Sequence, residues 1–147
     1  MSQLQTKSGP ETVLIIDFGS QYAQLIARRV REAGAFSLLV APDTPIDQFK
    51  NNNLVGIILS GGPSSVNEEG APRCSEDIFK IGVPVLGICY GMQLACSYLG
   101  GKVEGAHARE YGRSTLQVLS NEGLFKGVPT NTDVWMSHGD QVESLAD

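Results

Sequence analysis

The residues best suited to chemistry stand in "GICYG", Gly87 to Gly91, where a cysteine lies between two glycines. An apolar run, "VPVL", precedes it, and a mostly apolar stretch, "MQLACSYLGG", follows. G-x-C-x-G is the thiol counterpart of the G-x-S-x-G elbow, in which a nucleophile is raised on a sharp strand-to-helix turn. Gly87 and Gly91 have no Cβ, so such a turn can close without collision. The sulfur of Cys89 would then sit at a helix N-terminus, where unpaired N–H groups and the helix dipole favour thiolate. The amide of Tyr90 would point at an oxygen gaining negative charge. A second donor is expected from "SGGP", with Gly62 as the candidate. The chemistry implied is acyl transfer through a thioester. Cys74, in a polar loop, is expected at the surface, and Cys96, within an apolar helix, in the core.

Such an elbow needs a sheet to carry it. "VLIID" (13–17), "SLLV" (37–40), "VGIILS" (55–60) and "VPVLGI" (83–88) are short apolar runs of the kind found in strands covered on both faces. Between them, Tyr22, Leu25, Ile26, Val30 and Ala33 recur at helical spacing, and Gly34 ends the pattern. "PIDQFK" and Ser75–Lys80 are expected to be short helices, and the apolar stretch after Cys89 a buried one. "STLQVL" and "DVWMS" are weaker strand signals, and Met1–Pro10 reads as a disordered polar tail. The alternation predicts an α/β fold: an open, mostly parallel sheet with helices on both faces, flavodoxin-like. Ligands bind such folds at the carboxyl ends of the strands. "DFGSQ", "SGGPSS" and "GICYG" all fall there.

Composition narrows the function classes. The 147 residues suit one domain, and a net charge of −5 gives no reason to expect nucleic acid or an anionic membrane as partner. Apolar runs fall far short of a membrane span, and the opening residues are too polar for a signal peptide, so a cytoplasmic protein is expected. Three cysteines without a C-x-x-C or a His/Cys cluster suggest reduced thiols and no metal site. "SGGPSS" is superficially like a pyrophosphate loop, but "VNEEGAPR" after it is no helix, and a phosphate would lack its helix N-terminus. Glu68–Glu69 and Arg28, Arg29 and Arg31 read as solvated faces.

"GICYGMQ", "SGGP" and "MSHGD" resemble the class I, triad-type glutamine amidotransferases, and "LIIDFGSQYAQLIARRVREAG" is similar to the start of their glutamine-hydrolysing GMP synthase branch. The resemblance runs from Val13 to the end. It implies that Cys89 attacks the side-chain amide of L-glutamine, releasing ammonia, with the Gly62 and Tyr90 amides holding the oxyanion. It implies substrate contacts at Gln93, Gly139 and Asp140, the last a carboxylate suited to an ammonium group. It further implies no cofactor on this domain. The ammonia would serve a synthetase domain or subunit using ATP and magnesium to convert XMP to GMP.

The sequence departs from the family at one point. The family's histidine and glutamate come from an "HPE" motif, absent from these residues. His107 reads as a solvated loop residue, and His138 belongs to the "MSHGD" loop, which the family uses around the substrate and not as general base. The expectation is an amidotransferase domain over residues 11–147, incomplete and poorly active by itself. The alternative is an inert glutamine-binding or interaction module.

Overall fold

A computed structural model describes residues 7–145, with the side chains of residues 106–110 outside that description. Four strands form a parallel sheet in the order β2–β1–β3–β4: β1 is Thr12–Ile16, β2 Phe36–Val40, β3 Leu54–Leu59 and β4 Val85–Gly87. That order puts the first strand in the middle, as in flavodoxin-like sheets. Leu14 and Ile15 are fully buried there, as is Leu59 of β3, with Ile57 nearly so. This agrees with continuous apolar runs on a sheet covered on both faces.

Helix α1 (Ala23–Glu32) joins β1 to β2. An Asx turn opens it, the Asp17 Oδ1 accepting from the amides of Gly19 and Ser20 at 2.9 and 3.2 Å. Arg28 and Arg29 pair with Glu32 on its exposed side. Helix α2 (Tyr90–Tyr98) follows β4 after two residues. Its Leu94 and Cys96 are buried as expected, but Met92 and Leu99 are exposed, so the helix is not apolar-buried all round. The short helices expected at "PIDQFK" and Ser75–Lys80 are single 3-10 turns, Ile46–Phe49 and Glu76–Lys80.

The larger departure lies beyond α2. Instead of two short strands, Lys102–Gln117 (β5) and Asn131–Ser144 (β6) make one long antiparallel ribbon, a sheet of its own. Residues alternate between exposed and half-buried along β6. The exposed face carries Tyr111 and Trp135, and Trp135 is 76 % exposed. The base of the ribbon is tied to α2, where the Gly101 amide donates to the Cys96 carbonyl at 2.8 Å and the Cys96 thiol to the Ser144 carbonyl at 3.4 Å.

Of the expected polar tail, residues 1–6 lie outside the described residues, whereas 7–10 are exposed. The side chain of His107 likewise lies outside them. Cys74 corrects an expectation. It is 8 % exposed, packed in the main core with Ile78 and Tyr90, because its loop folds back over α2. No described helix is long and apolar enough to cross a membrane.

Candidate active site

Cys89 is the N-cap of α2, and its φ of 49° and ψ of −112° make it the one non-glycine with positive φ among the described residues. Side chains avoid that region unless surrounding structure holds them there, and such strain collects at functional sites. The holding structure is visible. The Ile88 amide extends the ladder to the Leu59 carbonyl at 3.0 Å, and the Gly91 amide reaches the Ser60 carbonyl at 3.0 Å. A Cβ on Gly87 would stand 2.5 Å from the Met92 Cα, and one on Gly91 would run into the Leu59 carbonyl. The elbow therefore closes onto the end of β3 through two positions where no side chain fits. This is the packing that the G-x-C-x-G pattern predicts.

The neighbouring loop is seated by similar means. Ser60 is fully buried; its hydroxyl accepts from the Phe18 amide and donates to the Gly61 carbonyl, both at 2.9 Å. A Cβ on Gly62 would strike the Phe18 carbonyl. The three loops expected at the strand ends thus converge. Among the described residues, neither the Gly62 amide nor the Tyr90 amide donates a hydrogen bond within the chain.

Two cavities meet at Cys89. The larger, about 470 Å³, is bounded by Gly62, Ser65 and Glu68 on one side, Cys89, Tyr90 and Gln93 below, and Tyr111 with Ser137–Asp140 across from them. The smaller, about 300 Å³, is bounded by the 19–22 loop together with Gly61, Gly62, Pro63 and Ser137. All six residues singled out from the sequence (Cys89, Gly62, Tyr90, Gln93, Gly139 and Asp140) line the larger one. Sequence reasoning missed Ser65, Glu68 and Tyr111. Glu68 was expected on a solvated face and is exposed, yet it borders the cavity.

Gln93 is 4 % exposed, and its Nε2 donates to the Asp140 carbonyl at 3.0 Å. It braces the "SHGD" stretch from beneath. Asp140 Oδ2 is buried without a hydrogen-bond partner among the described residues. A carboxylate oxygen in that condition is costly unless a donor arrives. His138 faces the same cavity.

The electrostatics of the thiol run against the sequence-based expectation. Cys89 is half-buried, and burial pushes its thiol above the ordinary value, because desolvation disfavours the thiolate. Among the described residues no group of three or more histidine, cysteine, aspartate or glutamate side chains converges as a metal site.

The sequence matches the class-I glutamine amidotransferase family model over residues 14–147. The chain belongs to the class-I glutamine amidotransferase family. It is 52% identical over 133 residues to a GMP synthase (glutamine-hydrolysing) of Aquifex aeolicus, and 55% identical over 137 residues to one of Bacillus velezensis. These alignments cover 90% and 93% of the chain but only 26% and 27% of those relatives, so the chain spans about a quarter of their length. Among solved structures it resembles a GMP synthase subunit of Thermoplasma acidophilum, with TM-score 0.80 and 30% identity over 95% of this chain and 70% of that one. It also resembles a glutamine amidotransferase of Thermotoga maritima, with TM-score 0.69 and 25% identity over 91% of this chain and 63% of that one.

Proposed function

We propose that residues 11–147 carry the thiol side of a glutaminase site belonging to a GMP synthase, and that Cys89 opens the side-chain amide of L-glutamine. The observation that carries this reading is the strained Cys89 at the meeting of two cavities, beside two main-chain amides with no partner among the described residues. The Cys89 sulfur attacks the amide carbon, and its proton passes to the departing nitrogen. The C–N bond breaks, ammonia leaves, and a glutamyl thioester remains. Water then adds to the thioester, releasing glutamate and restoring the thiol. The Gly62 and Tyr90 amides would hold the oxyanion of each adduct, one such donor being worth roughly 3 kcal/mol. The open Asp140 Oδ2 suits the substrate ammonium, and Gly139 leaves room for the amino-acid end beside it. Gln93 supports that contact through the Asp140 carbonyl.

The whole assembly would pass the ammonia to an ATP- and magnesium-dependent synthetase domain or subunit that aminates XMP to GMP, in the cytoplasm. In these 147 residues no "HPE" supplies a base, and with its thiol pushed up the isolated chain would turn over slowly. Acylation is therefore the step to measure. A chloroketone shaped like glutamine should label Cys89 well ahead of Cys74 and Cys96, with glutamine protecting and Cys89→Ser abolishing the reaction. Asp140→Asn should raise the half-saturating concentration about tenfold, as for a lost charge-assisted bond. Equal labelling of the three cysteines, or no protection by glutamine, would overturn the reading in favour of an inert module.

A further inference from the structure

From Gly61 to Ser75 the chain runs without helix or strand. Loops of that length are commonly functional or disordered. This one has little backbone bonding of its own: the Glu68 amide donates to the Ser65 carbonyl at 3.1 Å and the Ala71 amide to the Glu68 carbonyl at 3.3 Å. Its middle is tied to β5, where the Asn67 Nδ2 donates to the Val103 carbonyl at 3.1 Å, and its far end is secured from α2. The Tyr90 hydroxyl donates to the Pro72 carbonyl at 2.5 Å, and the Tyr98 hydroxyl to the Cys74 carbonyl at 2.7 Å. Arg73 then ties the loop to itself, its Nη2 donating to the Val66 carbonyl at 2.8 Å while its guanidinium lies 6.0 Å from the centre of the Tyr98 ring.

We propose that the Tyr90 hydroxyl is a positioning group for the substrate-facing wall of the larger cavity. Tyr90 stands in two places at once. Its main chain lies directly after Cys89, and its side chain fixes the far end of the loop that brings Ser65 and Glu68 to the cavity. The ring is 1 % exposed and packs on Phe18 with ring centres 5.2 Å apart, so the hydroxyl has little freedom relative to the elbow. Gly62 seats the near end of the same loop on the Phe18 carbonyl. Phe18 and Tyr90 therefore set both ends of the wall with respect to the sulfur. What the wall recognises rests on the glutamine reading; that the hydroxyl orders the loop does not.

The test is Tyr90→Phe in the 147-residue chain, which removes one oxygen and leaves the ring and the amide. Hydrogen exchange across residues 61–75 should accelerate about fivefold, the worth of one ordinary hydrogen bond, while β1 and β3 stay unchanged. The half-saturating concentration of the glutamine-shaped chloroketone should rise by a similar factor. The rate of Cys89 with iodoacetamide, which needs no wall, should change by a clearly smaller factor than the chloroketone constant. Tyr98→Phe, farther from the sulfur, should loosen the Cys74 end with a smaller effect on the chloroketone. Unchanged exchange in 61–75 overturns the proposal, as does a loosened loop with an unchanged chloroketone constant. Equal slowing of both reagents also overturns it, because the thiol and not the wall would have moved. If the unaltered chain shows no saturation with the chloroketone, the glutamine reading fails, and the exchange measurement still decides whether Tyr90 orders the loop.

Discussion

Gly91→Ala isolates the packing that creates the elbow. The added methyl carbon would stand 2.6 Å from both the carbonyl carbon and the Cβ of Leu59, and closer still to the Leu59 oxygen. Carbon contacts settle near 3.5–4 Å, so α2 must retreat from β3 by about 1 Å. The atoms in the way are mostly backbone and cannot rotate aside. Retreat also stretches two bonds, from the Ile88 amide to Leu59 and from the Gly91 amide to Ser60, both 3.0 Å. Overpacking of this kind costs about 1–3 kcal/mol and the weakened bonds about 1 kcal/mol each. Alanine returns at most about 1 kcal/mol in helix propensity. The net loss is about 2–4 kcal/mol, a fall in Tm of about 7–13 °C for a chain of this size. Gly56→Ala is the matched control: in β3 its methyl would lie 3.8 Å from the Pro84 carbonyl, an ordinary contact, and the variant should stay within about 1 kcal/mol of the unaltered chain. Urea unfolding and thermal melts of the two variants read the difference directly. If Gly91→Ala proves as stable as Gly56→Ala, the elbow is not closed by contact with Leu59 and the argument from glycine spacing fails.

Two further outcomes concern the thiols. Burial holds the Cys89 thiol above its ordinary value, so its rate with iodoacetamide, followed by mass spectrometry, should climb about tenfold per pH unit and continue upward past about pH 8.5, the usual thiol range; a plateau below pH 7 would show that the helix N-terminus dominates. Cys74 is pushed up to about 11 by burial. The unfolded chain loses that proton near its ordinary value and the folded chain keeps it, so the stability due to Cys74 is complete below about pH 8.5 and is lost as pH rises through the folded value. The gap in urea midpoint between the unaltered chain and Cys74→Ala should therefore narrow from pH 8 to 10.5, and a constant gap would contradict it.

The parts of the fold legible in the sequence are those where one physical requirement dominates a short stretch. "VLIID", "VGIILS" and "VPVL" are strands because a sheet covered on both faces needs unbroken apolar runs, and the four-stranded core matches them. The elbow was legible because two positions tolerate no Cβ. The β5–β6 ribbon was not, because a two-stranded ribbon exposed along one face can carry charged residues such as Glu104 and Arg113, which break up an apolar strand signal. Cys74 lies in a polar stretch, and its burial depends on Tyr98, 24 residues away, drawing that stretch onto α2. The direction of the Cys89 shift was missed for a related reason: the helix N-terminus is a local feature, whereas desolvation depends on neighbours distant in sequence.

Helix α2 shows why motifs far apart in the chain act together. Tyr90 and Tyr98 point to the 61–75 loop, eight residues apart and so on one side of a helix with 3.6 residues per turn. Gln93 and Cys96, three apart, face the ribbon and hold the carbonyls of Asp140 and Ser144. One short helix thus has the nucleophile at its cap, one wall of the cavity on one side and the opposite wall on the other. "SGGP", "GICYGMQ" and "MSHGD" are separate strings in the sequence, but in the fold the end of β3 and the β6 stretch both bond to this helix, through the Gly91 amide to Ser60 and through Gln93 to Asp140. A change in the rotation of α2 would shift both walls and the thiol at once. That is why the spacing from Cys89 to Gln93 matters to the site: it sets the thiol at the helix cap and the Asp140 contact one turn later on the side facing β6.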